Sequence, residues 1–132
     1  MNIFQYGNWF MIPKNHHTDP SIDILLSSTG IAGYGLYIVL YDIACQKGGS
    51  LPPAMMASLA KRKFHFSDTQ FDGFVEALKE SDLATWDADN GVWEFSEACD
   101  YLAYVEEMRE KKRKAVRTRW DRAREKDNDI DF

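Results

Sequence analysis

Cysteine is scarce. The 132-residue chain has two, Cys45 and Cys99, far apart and each inside an apolar helical pattern. They offer no disulfide framework and read as buried free thiols of a reducing compartment. Histidine is scarce too. His16, His17 and His65 make no ligand spacing with the cysteines, so neither a metal site nor a cofactor is expected. His16-His17 reads as an exposed loop pair. No basic segment followed by an apolar run opens the chain, so no signal peptide is expected and the reading is cytoplasmic. The most apolar stretch, residues 31–45, is shorter than the about 20 residues that a bilayer span needs, so no membrane partner is expected. Catalytic signatures are missing: there is no phosphate loop, no Gly-x-Ser-x-Gly and no His-Glu-x-x-His. Carboxylate pairs such as Glu106-Glu107 fall on a solvated helix. The chain therefore reads as non-enzymatic, with no catalytic residues. It also lacks βαβ alternation and internal repeats, which excludes a doubly wound sheet and a solenoid.

What is present is an apolar centre. Residues 31–45 hold one charge, Asp42, and show neither period two nor a clean polar face. A helix apolar nearly all round is a buried one. Gly33 and Gly35 would let another backbone approach its first turn. Tyr34, Tyr37, Ile38 and Tyr41 recur at helical spacing and read as core packing. The length suits one domain with an added arm.

Residues 1–18 read as an extended segment, with Trp9, Phe10, Met11 and Ile12 packing onto the body. A domain is expected over 19–108. Asp19-Pro20 opens its first helix as N-cap and first helical residue. Ile22, Ile24, Leu25 and Leu26 supply its buried face, and Gly30 ends it at positive φ. The central helix follows, closed by Gly48-Gly49. Ser50-Leu51 is a short extended piece, and Pro52-Pro53 starts a helix that finishes with Lys61, Arg62 and Lys63. Ser67 and Gln70 form a capping box, with Phe66 and Phe71 as a hydrophobic staple. Phe71, Phe74, Val75 and Leu78 give the next helical stripe. Asn90-Gly91, between Trp86 and Val92-Trp93, signals a hairpin whose two central residues both take positive φ. Ser96 is placed as the cap of a last helix, with Tyr101, Leu102, Val105 and Met108 on its buried side. The fold class is mainly α (α+β), a winged helix-turn-helix with a β-hairpin wing and a long C-terminal helix.

Charge is unevenly spread. Residues 1–97 hold six Lys/Arg against twelve Asp/Glu, while residues 109–126 hold ten against three. The net charge of −5 thus hides an acidic body, a basic arm at 109–126 and an acidic tip at 127–132. The arm supplies the candidate nucleic-acid contacts: Arg109, Lys111, Lys112, Arg113, Lys114, Arg117, Arg119, Arg122 and Arg124. Trp120 among them could stack on an unpaired base. Lys61, Arg62 and Lys63 form a second candidate patch, although cations also suit a helix C-terminus.

The runs Trp9-Phe10, Asp19-Pro20-Ser21-Ile22 and Gly30-Ile31-Ala32-Gly33-Tyr34-Gly35-Leu36-Tyr37 resemble the N-terminal winged-helix domain of phage and prophage replication-initiation proteins, the DnaD-like replisome organisers. Arg113 to Trp120 is similar to the basic segment that follows that domain. The resemblance covers about residues 9–120. It implies a DNA-replication role: binding single- or double-stranded DNA, self-assembly, and contact with replication proteins such as a helicase or its loader. Two departures from that family matter: its members often continue into a second domain, whereas this sequence has 132 residues, and the second lies in the residues themselves. The helix at the usual recognition position carries Asp68, Asp72, Glu76 and Glu80 against Lys79 alone, so major-groove reading is not assigned to it. Ile130, Asp131 and Phe132 resemble the acidic, Phe-terminated tip of bacterial single-stranded-DNA-binding proteins, which implies a protein-binding tip. The alternative from the residues is an interaction module, or a phage-encoded inhibitor, with an acidic winged-helix surface and no nucleic-acid binding. In that reading the long helix self-associates into a homo-oligomer.

Overall fold

The structure, a computed structural model, describes residues 16–130 and the side chains of residues 16–125. The Trp9-Phe10-Met11-Ile12 cluster lies outside the described residues, as do Asp131, Phe132 and the Ile130 side chain. The described chain is mainly helical, α+β, with a small antiparallel sheet. A 3-10 turn at His16–Thr18 leads into α1 (Pro20–Gln46), β1 (Ser50–Leu51), α2 (Pro53–Lys63) and α3 (Asp68–Ser81). Then come β2 (Ala84–Asp87), β3 (Val92–Phe95) and α4 (Ser96–Ile130). The sheet order is β1-β3-β2, so β3 pairs on both sides. Leu51 and Trp86 both face Trp93, from opposite neighbours. The chain divides into two units, Met1–Leu102 and Ala103–Phe132.

Local chemistry sets the start and the break of α1. Asp19 accepts a hydrogen bond from the Ser21 N–H at 2.8 Å, and Pro20 takes the first helical position. At Gly30 the backbone leaves the helix, with φ 72° and ψ −167°, then re-enters it. That region is nearly closed to residues with a Cβ. The two helices expected on either side of Gly30 are thus present, broken at that residue, and carry the single label α1. By length and composition α1 is apolar enough to cross a membrane. Gly30 divides it, however, and Leu36, Tyr37, Leu40 and Ala44 are fully buried in the protein core. Gly33 and Gly35 accommodate side chains and not a neighbouring backbone. A Cβ at Gly33 would meet the Thr29 hydroxyl at 1.8 Å, and one at Gly35 would meet the Phe64 ring at 3.3 Å.

The core joins Ile22, Leu25 and Leu36 of α1 to Met56 of α2, Phe74 and Leu78 of α3, Leu51 and Phe95. Burying each such side chain contributes about 1.5–3 kcal/mol before entropy is counted. The Ser67–Gln70 capping box closes at 2.8 and 3.1 Å, and the rings of Phe66 and Phe71 both pack on Phe74. Two helix-face expectations and one cap need correction. Ile24 is 37% exposed, because it sits about 100° round the helix from Leu25. Met108 is 37% exposed, whereas Ala98, at the start of α4, is fully buried. Ser96 is the first helical residue and no cap; its hydroxyl donates to the Asp82 carbonyl at 3.2 Å.

The hairpin forms where Asn90-Gly91 placed it, with a different turn. Gly91 has φ 66°, while Asn90 is not among the positive-φ residues. The connection spans residues 88–91 and is organised by Asp87. Its carboxylate accepts from the Asp89 N–H at 3.1 Å, the Asn90 N–H at 3.3 Å and the Asn90 side chain at 2.8 Å. The Asn90 side chain foremost holds the Asp87 carboxyl below the usual carboxylate range. One acceptor residue thus replaces the second positive φ that a two-residue turn would need.

Candidate nucleic-acid interface

In the second unit every side chain from Glu106 to Glu125 is exposed. The cations fall into two sets. Arg109 lies 3.9 Å from Glu106, Lys111 lies 3.4 Å from Glu107, and Arg113 lies 2.9 Å from Glu110 and 3.7 Å from Glu106. Each partner is more than half exposed, so these pairs are worth little and exchange readily. Lys112, Lys114, Arg117, Arg119, Arg122 and Arg124 make no ion pair among the described residues. The pairing of Glu110 with Arg113 leaves Lys114 without the intrahelical partner its spacing offered. Its backbone carbonyl instead accepts from the Thr118 hydroxyl at 2.9 Å.

The helix also carries an apolar strip. Val116 is 48% exposed and Trp120 is 64% exposed. Four-residue steps place them on one shallow face with Lys112, Arg113, Arg117, Asp121 and Arg124. An indole flanked by guanidinium groups can meet a base by stacking while its neighbours meet phosphates. Lys111, Lys114, Arg119 and Arg122 point elsewhere round the helix, which suits contact along a phosphate backbone more than reading of base edges.

Lys61, Arg62 and Lys63 lie in the first unit, exposed on the last turn of α2. Lys61 is committed to Asp68 at 2.8 Å, at the start of α3. That bond raises the Lys61 ammonium and lowers the Asp68 carboxyl from their ordinary pKa values. Arg62 donates weakly to Ser58 at 3.5 Å. The exposed face of α3 is acidic, as its sequence implied: Asp68, Asp72, Glu76 and Glu80 are all exposed. Its single cation, Lys79, bonds Glu76 at 3.4 Å and lies 5.9 Å from the centre of the Trp93 ring.

The structure corrects the reading of His16. It is 6% exposed and ties three parts of the chain together. His16 Nδ1 meets the Tyr34 hydroxyl at 2.7 Å, and Nε2 donates to the Glu97 carboxylate at 2.9 and 3.1 Å. The fully buried Tyr37 hydroxyl donates to the same carboxylate. Burial and the Glu97 charge push the Tyr37 hydroxyl far above its ordinary pKa. No signal in the sequence joins His16 to Glu97. Cys45 and Cys99 are free and half-buried, and burial raises both thiols. Such thiols are poor nucleophiles. Among the described residues no cluster of His, Cys, Asp or Glu has a metal-holding arrangement. No family model, curated protein or solved structure matches the chain.

Proposed function

We propose that this chain is a non-enzymatic nucleic-acid-binding protein built on a winged helix. The order β1-α2-α3-β2-β3, with sheet order β1-β3-β2, supports the winged-helix reading. More particularly, we infer a DNA-replication accessory of the phage replication-initiator type, acting in the cytoplasm beside a helicase or its loader. The resemblance over residues 9–120 supports that narrower reading. The observation that carries the binding reading is the 109–126 helix, exposed over residues 109–125, with six cations beside Val116 and Trp120 that make no ion pair among the described residues.

The test is fluorescence anisotropy of labelled single- and double-stranded DNA over a salt series. Six phosphate contacts predict a slope of log K against log salt of about −5 on duplex and about −4 on single strands. Replacing Lys112, Arg113, Arg117 and Arg119 by Ala should make the slope shallower by about 3. Preference for single strands that vanishes in Trp120→Ala assigns stacking to the indole. Wild-type binding retained in the quadruple variant would remove the arm from the mechanism. The acidic α3 face favours a second reading, an interaction module that uses no nucleic acid. Absence of DNA binding even at low salt would select it.

A further inference from the structure

The charges of this chain are segregated by unit. Residues 16–102 carry five Lys/Arg against thirteen Asp/Glu, a balance of −8. Residues 109–126 carry ten against three, a balance of +7. Two copies meeting arm to arm, or body to body, therefore set like charges together. Arm to body sets opposite charges together.

The body has a place for a helix. Between α1 at its Gly30 break and α3 lies a groove lined by Ser28, Thr29, Ala32, Phe66, Thr69, Gln70 and Gly73. Most of these are small, so a backbone can come close. Gly73 is unusual: it is exposed in mid-helix, and a Cβ there would touch nothing. A helical glycine costs about 1 kcal/mol relative to alanine, and no close contact among the described residues offsets that. The exposed face of α3, which carries Thr69 and Gly73, is acidic. Asp72 and Glu80 have no ion pair among the described residues, and Glu76 shares only the exposed Lys79. These acids repeat every four residues, about 6 Å along a helix. Arg113 and Arg117 repeat at the same step and flank the exposed Val116 and Trp120. Charge sign, spacing and an apolar strip facing a shallow groove are all complementary.

We propose that the 109–126 helix of one copy docks on the α3 groove of a second copy. The contact joins two different surfaces, so it closes into a reciprocal dimer or continues as a head-to-tail chain. It does not depend on DNA binding, and it is tested without nucleic acid.

The experiment is sedimentation velocity of the full chain over a concentration series, at about 0.05 M and about 1 M salt, where the screening length falls to about 3 Å. Wild type should associate at low salt and dissociate at high salt. Variant one is Asp72→Lys with Glu76→Lys; variant two is Arg113→Glu with Arg117→Glu. Each alone carries like charge on arm and groove and should associate at least about tenfold more weakly. Mixed, the positive groove of one meets the negative arm of the other, and the reverse pair matches too. The mixture should therefore regain association. Circular dichroism and thermal melting confirm that each variant is folded, and Asp89→Lys on the hairpin loop should associate as wild type does. A wild type monomeric throughout, a reversed variant that still associates, or a mixture that stays monomeric would each overturn the proposal.

Discussion

Deleting the Glu97 carboxylate is the sharpest test of how the first unit is held. Two buried donors, His16 Nε2 and the Tyr37 hydroxyl, share that one acceptor. An orphaned buried donor costs about 1–3 kcal/mol. Removing one partner of a buried charged network costs about 3–5 kcal/mol. Glu97→Ala should therefore destabilise the protein by about 4 kcal/mol, a large share of the 5–15 kcal/mol typical of a domain. Glu97→Gln keeps an oxygen acceptor and the shape, and should cost about half as much. Urea denaturation followed by circular dichroism measures both. With a slope of about 1–3 kcal/mol per molar urea, the Ala midpoint falls by more than about 1 M. A double-mutant cycle with His16→Ala isolates the pair, and the two losses should fall short of adding by about 1–3 kcal/mol. A Glu97→Ala loss under about 1 kcal/mol, or strict additivity in the cycle, would refute the network as a structural tie.

Three further outcomes follow from single positions. Gly30→Ala should cost about 1–3 kcal/mol although a Cβ there meets nothing, because the backbone conformation alone is the obstacle; an unchanged melting temperature would contradict this. Gly73→Ala should stabilise by about 0.5–1 kcal/mol in the same melts, since helix propensity improves in open space. Tyr37 is held protonated in the folded state and ionises near pH 10 once unfolded, so its stabilisation is complete below about pH 10 and falls above it. Urea midpoints measured from pH 8 upward should decline from about pH 10 by up to about 1.4 kcal/mol per pH unit for this residue, and Tyr37→Phe should flatten that decline.

Helix starts and stops were legible because their signals are local. Asp19-Pro20, the Ser67–Gln70 box and the positive φ of Gly30 each depend on residues within one turn, and the structure reproduces them. The hairpin was legible for the same reason, but its turn was not. Asp87 lies outside the Asn-Gly pair, and its carboxylate stabilises a wider loop. The cationic helix was visible as composition. Which cations are paired was not, because Glu106 and Glu110 had several partners within reach, and side-chain geometry divided Glu106 between Arg109 and Arg113 and gave Glu110 to Arg113.

Composition and short-range spacing by themselves determined the helical segments, the apolar centre and the separation of acidic body from basic arm. These follow from periodicity and from like residues lying near one another in the chain. The tertiary structure alone decided that His16 is buried, that β1 joins β3, and that Ile24 and Met108 face solvent. His16 and Glu97 stand 81 residues apart in sequence and meet only because the fold brings the turn before α1 to the start of α4. Burial and long-range hydrogen bonding depend on such meetings, which no local pattern encodes.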